Sequence, residues 1–177
     1  PSDQIRARFL ETIQEQDQLD KGLLGLKDLP CETADHHRVH LWVNTGLMTD
    51  VMRSLDQGAE GIGLFRTEVP FLLAEQFPSE EEQYQIYREQ LEAFAPKLVT
   101  MRTLDIGGDK SLPYFPIEEA NPFLGWRGIR VTLDHPEIFT AQIHAMLRAS
   151  VGLDNLQIML PMISNINEVK SALQLIK

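Results

Sequence analysis

The segment Gly58-Ala59-Glu60-Gly61-Ile62-Gly63-Leu64-Phe65-Arg66-Thr67-Glu68 sets a short strand candidate, residues 61–65, between two helical stretches. It ends that strand on a charged cluster. Upstream, residues 49–57 carry Val51 and Leu55 on one face, and Gly58 supplies a helix stop. Downstream, Ser79 with Glu82 forms a capping box, and Tyr84, Tyr87, Leu91 and Phe94 make an apolar stripe. The same strand-then-helix alternation repeats on both sides. Further strands are expected at residues 39–43, 98–103 and 156–160. A helix is announced by Asp134 and Pro136 and is expected to bury Phe139, Ile143, Met146 and Leu147. A last one starts near Asn165, with Glu168 three residues on, and is expected to bury Ile166, Val169, Leu173 and Ile176. It is still running at Lys177, which predicts a continuation in a longer chain.

The N-terminal residues 1–27 are polar, with Ile5, Phe9 and Ile13 at helical spacing. They read as a lead-in helix ending near Lys21-Gly22, and Leu29-Pro30-Cys31 breaks the chain after it. Strand alternating with helix predicts an α/β fold with a parallel sheet. On periodicity alone two architectures fit equally. One is an incomplete (β/α)8 TIM-type barrel holding about its first four βα units, since a whole one takes about 250 residues. The other is a small open sheet.

The chain has 177 residues, 43% of them hydrophobic and 24% charged, which suits one globular domain with a real core. No apolar run approaches the roughly 20 residues needed to cross a bilayer. Cys31 is the only cysteine, so no intrachain disulfide forms, and a reducing, cytoplasmic setting is expected. The net charge of -10 argues against nucleic acid or an anionic membrane surface as partner. A small anion is not excluded, because local arginines can gather a positive pocket on an acidic body.

Ligands of parallel α/β sheets bind in the loops that follow the C-terminal ends of strands. An arginine falls just past two successive strands, Arg66 at the second and Arg102 at the third, and Arg127 stands at the start of the next helical stretch, after a Gly- and Pro-rich insertion at residues 105–121. A guanidinium stays charged at any working pH and presents a planar fork matched to phosphate or carboxylate oxygens. Gly107 and Gly108 would let backbone amides approach such oxygens. Glu68, Asp105 and Asp109 would orient the arginines or hold water around a metal. An arginine at one strand end is more often a surface ion pair, and a Gly-Gly pair more often a turn. Three arginines at equivalent positions weigh the two readings evenly.

The strings themselves carry more. Gly58 to Glu68 resembles a motif of phosphoenolpyruvate-utilising enzymes. Arg102-Thr103-Leu104-Asp105-Ile106-Gly107-Gly108-Asp109-Lys110 resembles a motif of their phosphotransferase branch, and Asn121-Pro122-Phe123-Leu124-Gly125-Trp126-Arg127 resembles a third. Leu29-Pro30 through Asn44-Thr45-Gly46 looks like the family's entry into its barrel, with Asp35-His36-His37 departing from the usual Asp-Gly at a turn. The resemblance, over residues 27–177, is to the phosphoenolpyruvate-protein phosphotransferases (the enzyme I family). The run Leu41-Trp42-Val43-Asn44-Thr45-Gly46 looks more like the nitrogen-related paralogue than the sugar-transport one.

That resemblance implies a phosphoenolpyruvate-binding barrel, with residues 1–28 as lead-in helix and linker and 29–177 as the barrel's N-terminal part. It implies that Arg66, Arg102 and Arg127 bind phosphoenolpyruvate, with Glu68, Thr103, Asp105 and Lys110 supporting them. It implies transfer of the phosphoryl group to a histidine on a mobile N-terminal domain, then to a histidine-containing phosphocarrier protein. It implies a requirement for Mg2+ and a homodimeric parent. No string here resembles the phosphohistidine motif, so His36, His37, His40, His135 and His144 are expected to be ordinary surface or packing residues. The family's metal carboxylates, a further arginine and its active-site cysteine belong to later strands; Cys31 is not that cysteine. The chain alone is therefore expected to hold neither a catalytic residue nor a metal ligand and to be inactive. Two alternatives remain: an anion-binding or dimerisation module without activity, and a related synthase or dikinase barrel. Gly107-Gly108-Asp109-Lys110 favours the phosphotransferase over the latter.

Overall fold

A computed structural model describes residues 2–47, 49–108, 110–121 and 124–177. Its elements run α1 (Asp3–Leu24), β1 (Val43–Thr45), α2 (Thr49–Asp56), β2 (Ile62–Arg66), α3 (Glu68–Leu73), α4 (Glu80–Phe94), β3 (Val99–Arg102), α5 (Ile129–Asp134), α6 (Pro136–Ala149), β4 (Leu156–Met159) and α7 (Ile166–Ile176). The four strands form one parallel sheet in the order β1-β2-β3-β4, each beside its sequence neighbour. Parallel neighbours require crossovers, and crossovers of the usual right-handed sense carry all the intervening helices to one face of such a sheet. The order never reverses among these strands, so the sheet lacks the switch point of a doubly wound fold.

The core lies between that face and the helices. Ile62, Phe65, Val99 and Met101 from the strands meet Val51 of α2, Tyr87, Leu91 and Phe94 of α4, and Phe139, Ile143 and Met146 of α6. Register sets what the strand ends present. Phe65 lies beside Met101 and Arg66 beside Arg102, while Arg102 in turn lies beside Met159. The expected capping box is made, the Ser79 side chain accepting from the Glu82 amide; the helix expected near Asn165 also has one, the Asn165 side chain accepting from the Asn167 and Glu168 amides.

Several expectations needed correction. The first strand starts at Val43 rather than residue 39, because the preceding chain is held elsewhere: Glu60 accepts from Arg38 at 2.8 Å and from the Leu41 amide at 3.0 Å. The short helix α3 went unread, and α5 is separate from the helix announced at Asp134 and Pro136. The α1 helix forms as expected, but Ile5, Phe9 and Ile13 are exposed and none of its residues is buried. On α6 Leu147 faces outward, and on α7 Ile166 and Leu173 do, with Ala172 as that helix's buried residue. The packing of the insertion was not read from its sequence. The segment lays Leu112, Tyr114, Phe115 and Ile117 over Phe71, Leu104, Ile106 and Val131 as a second apolar cluster. Phe77 packs edge-on against Tyr114 and Phe115, at centroid distances of 5.1 and 5.3 Å. Among the described residues no helix is long and apolar enough to cross a membrane.

Candidate functional site

At the C-terminal ends of β2 and β3 the sequence turns from apolar to charged, and the sheet register gathers those charges. Glu68 is the first residue of α3 and Arg102 the last of β3; Asp105 and Lys110 lie on the loop that follows. Arg102 donates from Nη2 to Glu68 Oε1 at 2.6 Å and reaches Asp105 Oδ2 from Nη1 at 3.2 Å. Lys110 Nζ bridges the same two carboxylates, at 2.7 Å from Glu68 Oε1 and 3.3 Å from Asp105 Oδ2. Arg127 arrives from the far end of the insertion and sets its fork on Asp105, Nε to Oδ1 at 3.2 Å and Nη2 to Oδ2 at 3.4 Å.

The two carboxylates are the buried centre of the cluster, with side chains 2% and 4% exposed, and the cations surround them. Arg66 stands on the neighbouring strand in register with Arg102, exposed, and makes no ion pair among the described residues. Among the described residues, four cations stand against two carboxylates here, a surplus of positive charge. Glu68 Oε2, Arg102 Nε and Thr103 Oγ1 are buried without a hydrogen-bond partner among the described residues. Buried polar groups in that condition concentrate where a ligand or ordered water completes the set.

Gly107 matches the turn reading of the Gly-Gly pair. Gly107 has φ 114°, and its amide donates to the Lys110 carbonyl at 3.0 Å, so it closes a turn. A Cβ on Gly107 would stand 3.0 Å from the Trp126 carbonyl oxygen and 3.2 Å from Arg127 Cα. Its lack of a side chain therefore brings the Arg127 segment against the β3 loop, which is how Arg127 reaches Asp105. Asp109 lies outside the described residues, as do Pro122 and Phe123 of the third motif.

Burial pushes the Glu68 carboxyl up, but Lys110, its own backbone amide and Arg102 outweigh this and hold it below its ordinary value. Asp105 is likewise raised by burial and brought down further by Arg127, Arg102 and Lys110. Both groups thus release their protons more readily folded than unfolded. The stability they supply is complete above their unfolded values of about 4 and is lost as pH falls through and below that range. We expect the chain to lose stability between pH 6 and pH 3 in urea titrations. A Glu68→Gln, Asp105→Asn variant, weaker at neutral pH, should lose markedly less over that interval. Parallel curves for the two proteins would refute the assignment.

A buried polar chain lies directly beneath these strand ends, and sequence reading missed it. Gln142 of α6 donates to Thr67 Oγ1 at 3.2 Å and to the Tyr87 hydroxyl at 3.0 Å, and accepts from the Leu104 amide at 2.7 Å. Thr67 donates in turn to the Arg102 carbonyl at 2.7 Å. A signal was available: Gln142 occupies the apolar stripe of its helix, three residues after Phe139 and four before Met146.

The model of the PEP-binding domain of PEP-utilising enzymes matches residues 21–177. The chain belongs to that family. Over 177 residues it is 46% identical to a Salmonella typhimurium protein named phosphoenolpyruvate-dependent phosphotransferase system, covering all of this chain and 24% of that protein. It is 47% identical over 178 residues to the phosphoenolpyruvate-protein phosphotransferase of Staphylococcus carnosus, covering 100% of this chain and 31% of that one. The Bacillus subtilis phosphoenolpyruvate-protein phosphotransferase is 44% identical over 170 residues, 92% of this chain and 30% of its own length. This PEP-binding-domain chain thus spans 24% to 31% of these curated relatives.

Proposed function

We propose that this chain is the part of a phosphoenolpyruvate-protein phosphotransferase that grips phosphoenolpyruvate. The observation that carries the reading is the gathering of Arg102, Lys110 and Arg127 around Glu68 and Asp105, with Arg66 in register beside Arg102. The carboxylates hold the cations in place before any ligand arrives, so little reorganisation is needed on binding. Arg66, Arg102 and Arg127 neutralise the oxygens of the phosphoryl group, and Thr103 supports the same rim. That lowers the repulsion a nucleophile meets on approaching phosphorus, which is the main task of a protein in phosphoryl transfer. In the whole protein the nucleophile is a histidine on another domain, and a histidine-containing carrier receives the group next.

The fold belongs to the same proposal. Four parallel strands in sequential order are what one arc of a (β/α)8 barrel contains, which supports residues 29–177 as the N-terminal part of one and 1–28 as its lead-in. The nitrogen-related branch rests on the Leu41–Gly46 run, and a homodimeric, cytoplasmic parent on the resemblance. Mg2+ is part of the reading for the whole protein, where it would help neutralise the transferring phosphate. Glu68 and Asp105 do not suit it as ligands, because cations already occupy both, at 2.6 to 3.4 Å. No step is assigned to a metal at these residues.

Two measurements test the proposal together. Calorimetry should detect phosphoenolpyruvate binding by the purified 177-residue chain. Incubation with phosphoenolpyruvate, Mg2+ and a carrier protein should give no phosphorylated carrier, since no histidine here lies in a phosphohistidine motif. Absence of binding would remove the gripping role. Carrier phosphorylation by pure material would remove the division of labour.

A further inference from the structure

Gln142 is 0% exposed, yet every polar atom of its side chain is engaged. Its two N–H donors go to Thr67 Oγ1 and the Tyr87 hydroxyl, and its oxygen accepts the Leu104 amide. The amide has only one workable orientation. Thr67 spends its single hydroxyl proton on the Arg102 carbonyl, at 2.7 Å, and Tyr87 spends its own on Gln83 Oε1, at 3.1 Å. Both hydroxyl oxygens can then only accept from Gln142, and the Leu104 N–H can only donate to it. Turning the amide over would set donor against donor and acceptor against acceptor. The tail of the network is closed too, since Gln83 donates to the Pro78 carbonyl at 2.9 Å.

The placement matters more than the count. Thr67 lies between Arg66 and Glu68, and Leu104 between Thr103 and Asp105. One helix side chain therefore holds the Leu104 backbone amide after one strand and the Thr67 hydroxyl after the other, and through Thr67 it also reaches the carbonyl of Arg102. We infer that Gln142 is a positioning residue: it touches no ligand but fixes the spacing of Arg66 and Arg102, and so sets the affinity of the rim for a phosphate-bearing anion. This rests on the gripping role proposed above. A rim built from two adjacent strands grips a small tetrahedral anion only if the strand ends keep their separation, and small misplacements are costly in such sites.

The other arm of the network supplies the control. Tyr87 joins Gln142 to α4, away from the rim. Tyr87→Phe deletes its hydroxyl, and with it the bonds to Gln142 and Gln83, while leaving the bonds to Thr67 and Leu104. Gln142→Leu removes the rim bonds as well. Thr67→Val keeps the shape of Thr67 and cuts only the link to the Arg102 carbonyl and to Gln142, so it serves if Gln142→Leu does not fold. The probe is phosphoenolpyruvate titrated by calorimetry into the full 177-residue chain, with urea unfolding run in parallel. We expect Gln142→Leu and Thr67→Val each to weaken binding roughly tenfold, as for loss of a buried hydrogen bond, and their double variant to be no worse than the weaker single one. Tyr87→Phe should lose comparable stability yet bind within about twofold of wild type. Affinity losses that track stability across all three variants would overturn the inference and leave Gln142 an ordinary core residue. If the wild-type chain does not bind phosphoenolpyruvate at all, the gripping role itself falls, a result plainly different from variants that bind as wild type does.

Discussion

Replacing Asp105 with alanine is expected to cost about 3–5 kcal/mol of stability, the range for removing one partner from a buried ion cluster. The reason lies in the number of cations it serves. Arg102, Lys110 and Arg127 each reach one of its oxygens within 3.4 Å, while its own side chain is 4% exposed. Without it, three positive groups crowd one another in a poorly hydrated space, with Glu68 left to compensate for Arg102 and Lys110 alone. Arg127 would also lose the contact that holds the end of the insertion against the β3 loop. Asparagine in its place keeps the shape but brings an N–H2 toward the cations, so Asp105→Asn should recover only a minor part of the loss. Urea unfolding at neutral pH measures the effect. It should persist at high salt, because the cluster is too buried to be screened well. A loss under about 1 kcal/mol for Asp105→Ala would show that water reaches these charges freely.

The alternation of strand and helix could be read because each long element carries its own periodicity. Val99 and Met101 point one way along β3, and Tyr87, Leu91 and Phe94 repeat along α4. The same reasoning fails where an element is too short to repeat. The helices α3 and α5 have six residues each, and no stripe can establish itself in so few. The start of β1 was misplaced for a different reason. Residues 39–43 have a strand-like composition, but Glu60, part of a motif read for other purposes, holds Arg38 and the Leu41 amide outside the sheet. Its carboxyl falls to about 2 under the Arg38 bond, the Leu41 amide and His40. The packing of the insertion went unread, because its glycines and prolines interrupt any periodicity its aromatic residues could show.

At the site, the residues that gather could be named from the sequence, and their connections could not. Arg66, Arg102 and Arg127 stand out because charge at a strand end is unusual and the motifs repeat it. That Glu68 would bind Arg102 and Lys110, and Asp105 those two and Arg127, follows from tertiary approach, which Gly107 permits in the case of Arg127. Gln142 bonds to residues 38 and 75 positions away, and no local pattern predicts such partners. A glutamine inside an apolar stripe signals that a partner must exist, because leaving a buried amide unsatisfied is costly. It does not say which.

Changing Arg66 and Arg102 together to alanine should lower phosphoenolpyruvate affinity at least a hundredfold, and the single variants should separate what each arginine does. Charge-assisted hydrogen bonds contribute about 1.5–3 kcal/mol apiece, or roughly tenfold to a hundredfold in affinity. Arg66 is exposed and pairs with no carboxylate among the described residues, so Arg66→Ala should lose affinity while stability stays within about 0.5 kcal/mol of wild type. Arg66→Lys keeps the charge and loses the fork, and should fall between the two. Arg102 is different, because its Nη2 lies 2.6 Å from Glu68 and its Nη1 3.2 Å from Asp105. Arg102→Ala should therefore lose affinity and stability together, with Lys110 left to neutralise Glu68. Calorimetry read beside urea unfolding distinguishes these patterns. Equal affinity in wild type and the double variant would mean the rim does not bind the phosphate, whatever the family does elsewhere. A stability loss in Arg66→Ala as large as that of Arg102→Ala would mean Arg66 is part of the internal ion cluster instead. The two arginines sit side by side in register, yet among the described residues only Arg102 of the pair is committed to the protein's own carboxylates, which makes Arg66 the one of the two more available to an incoming anion.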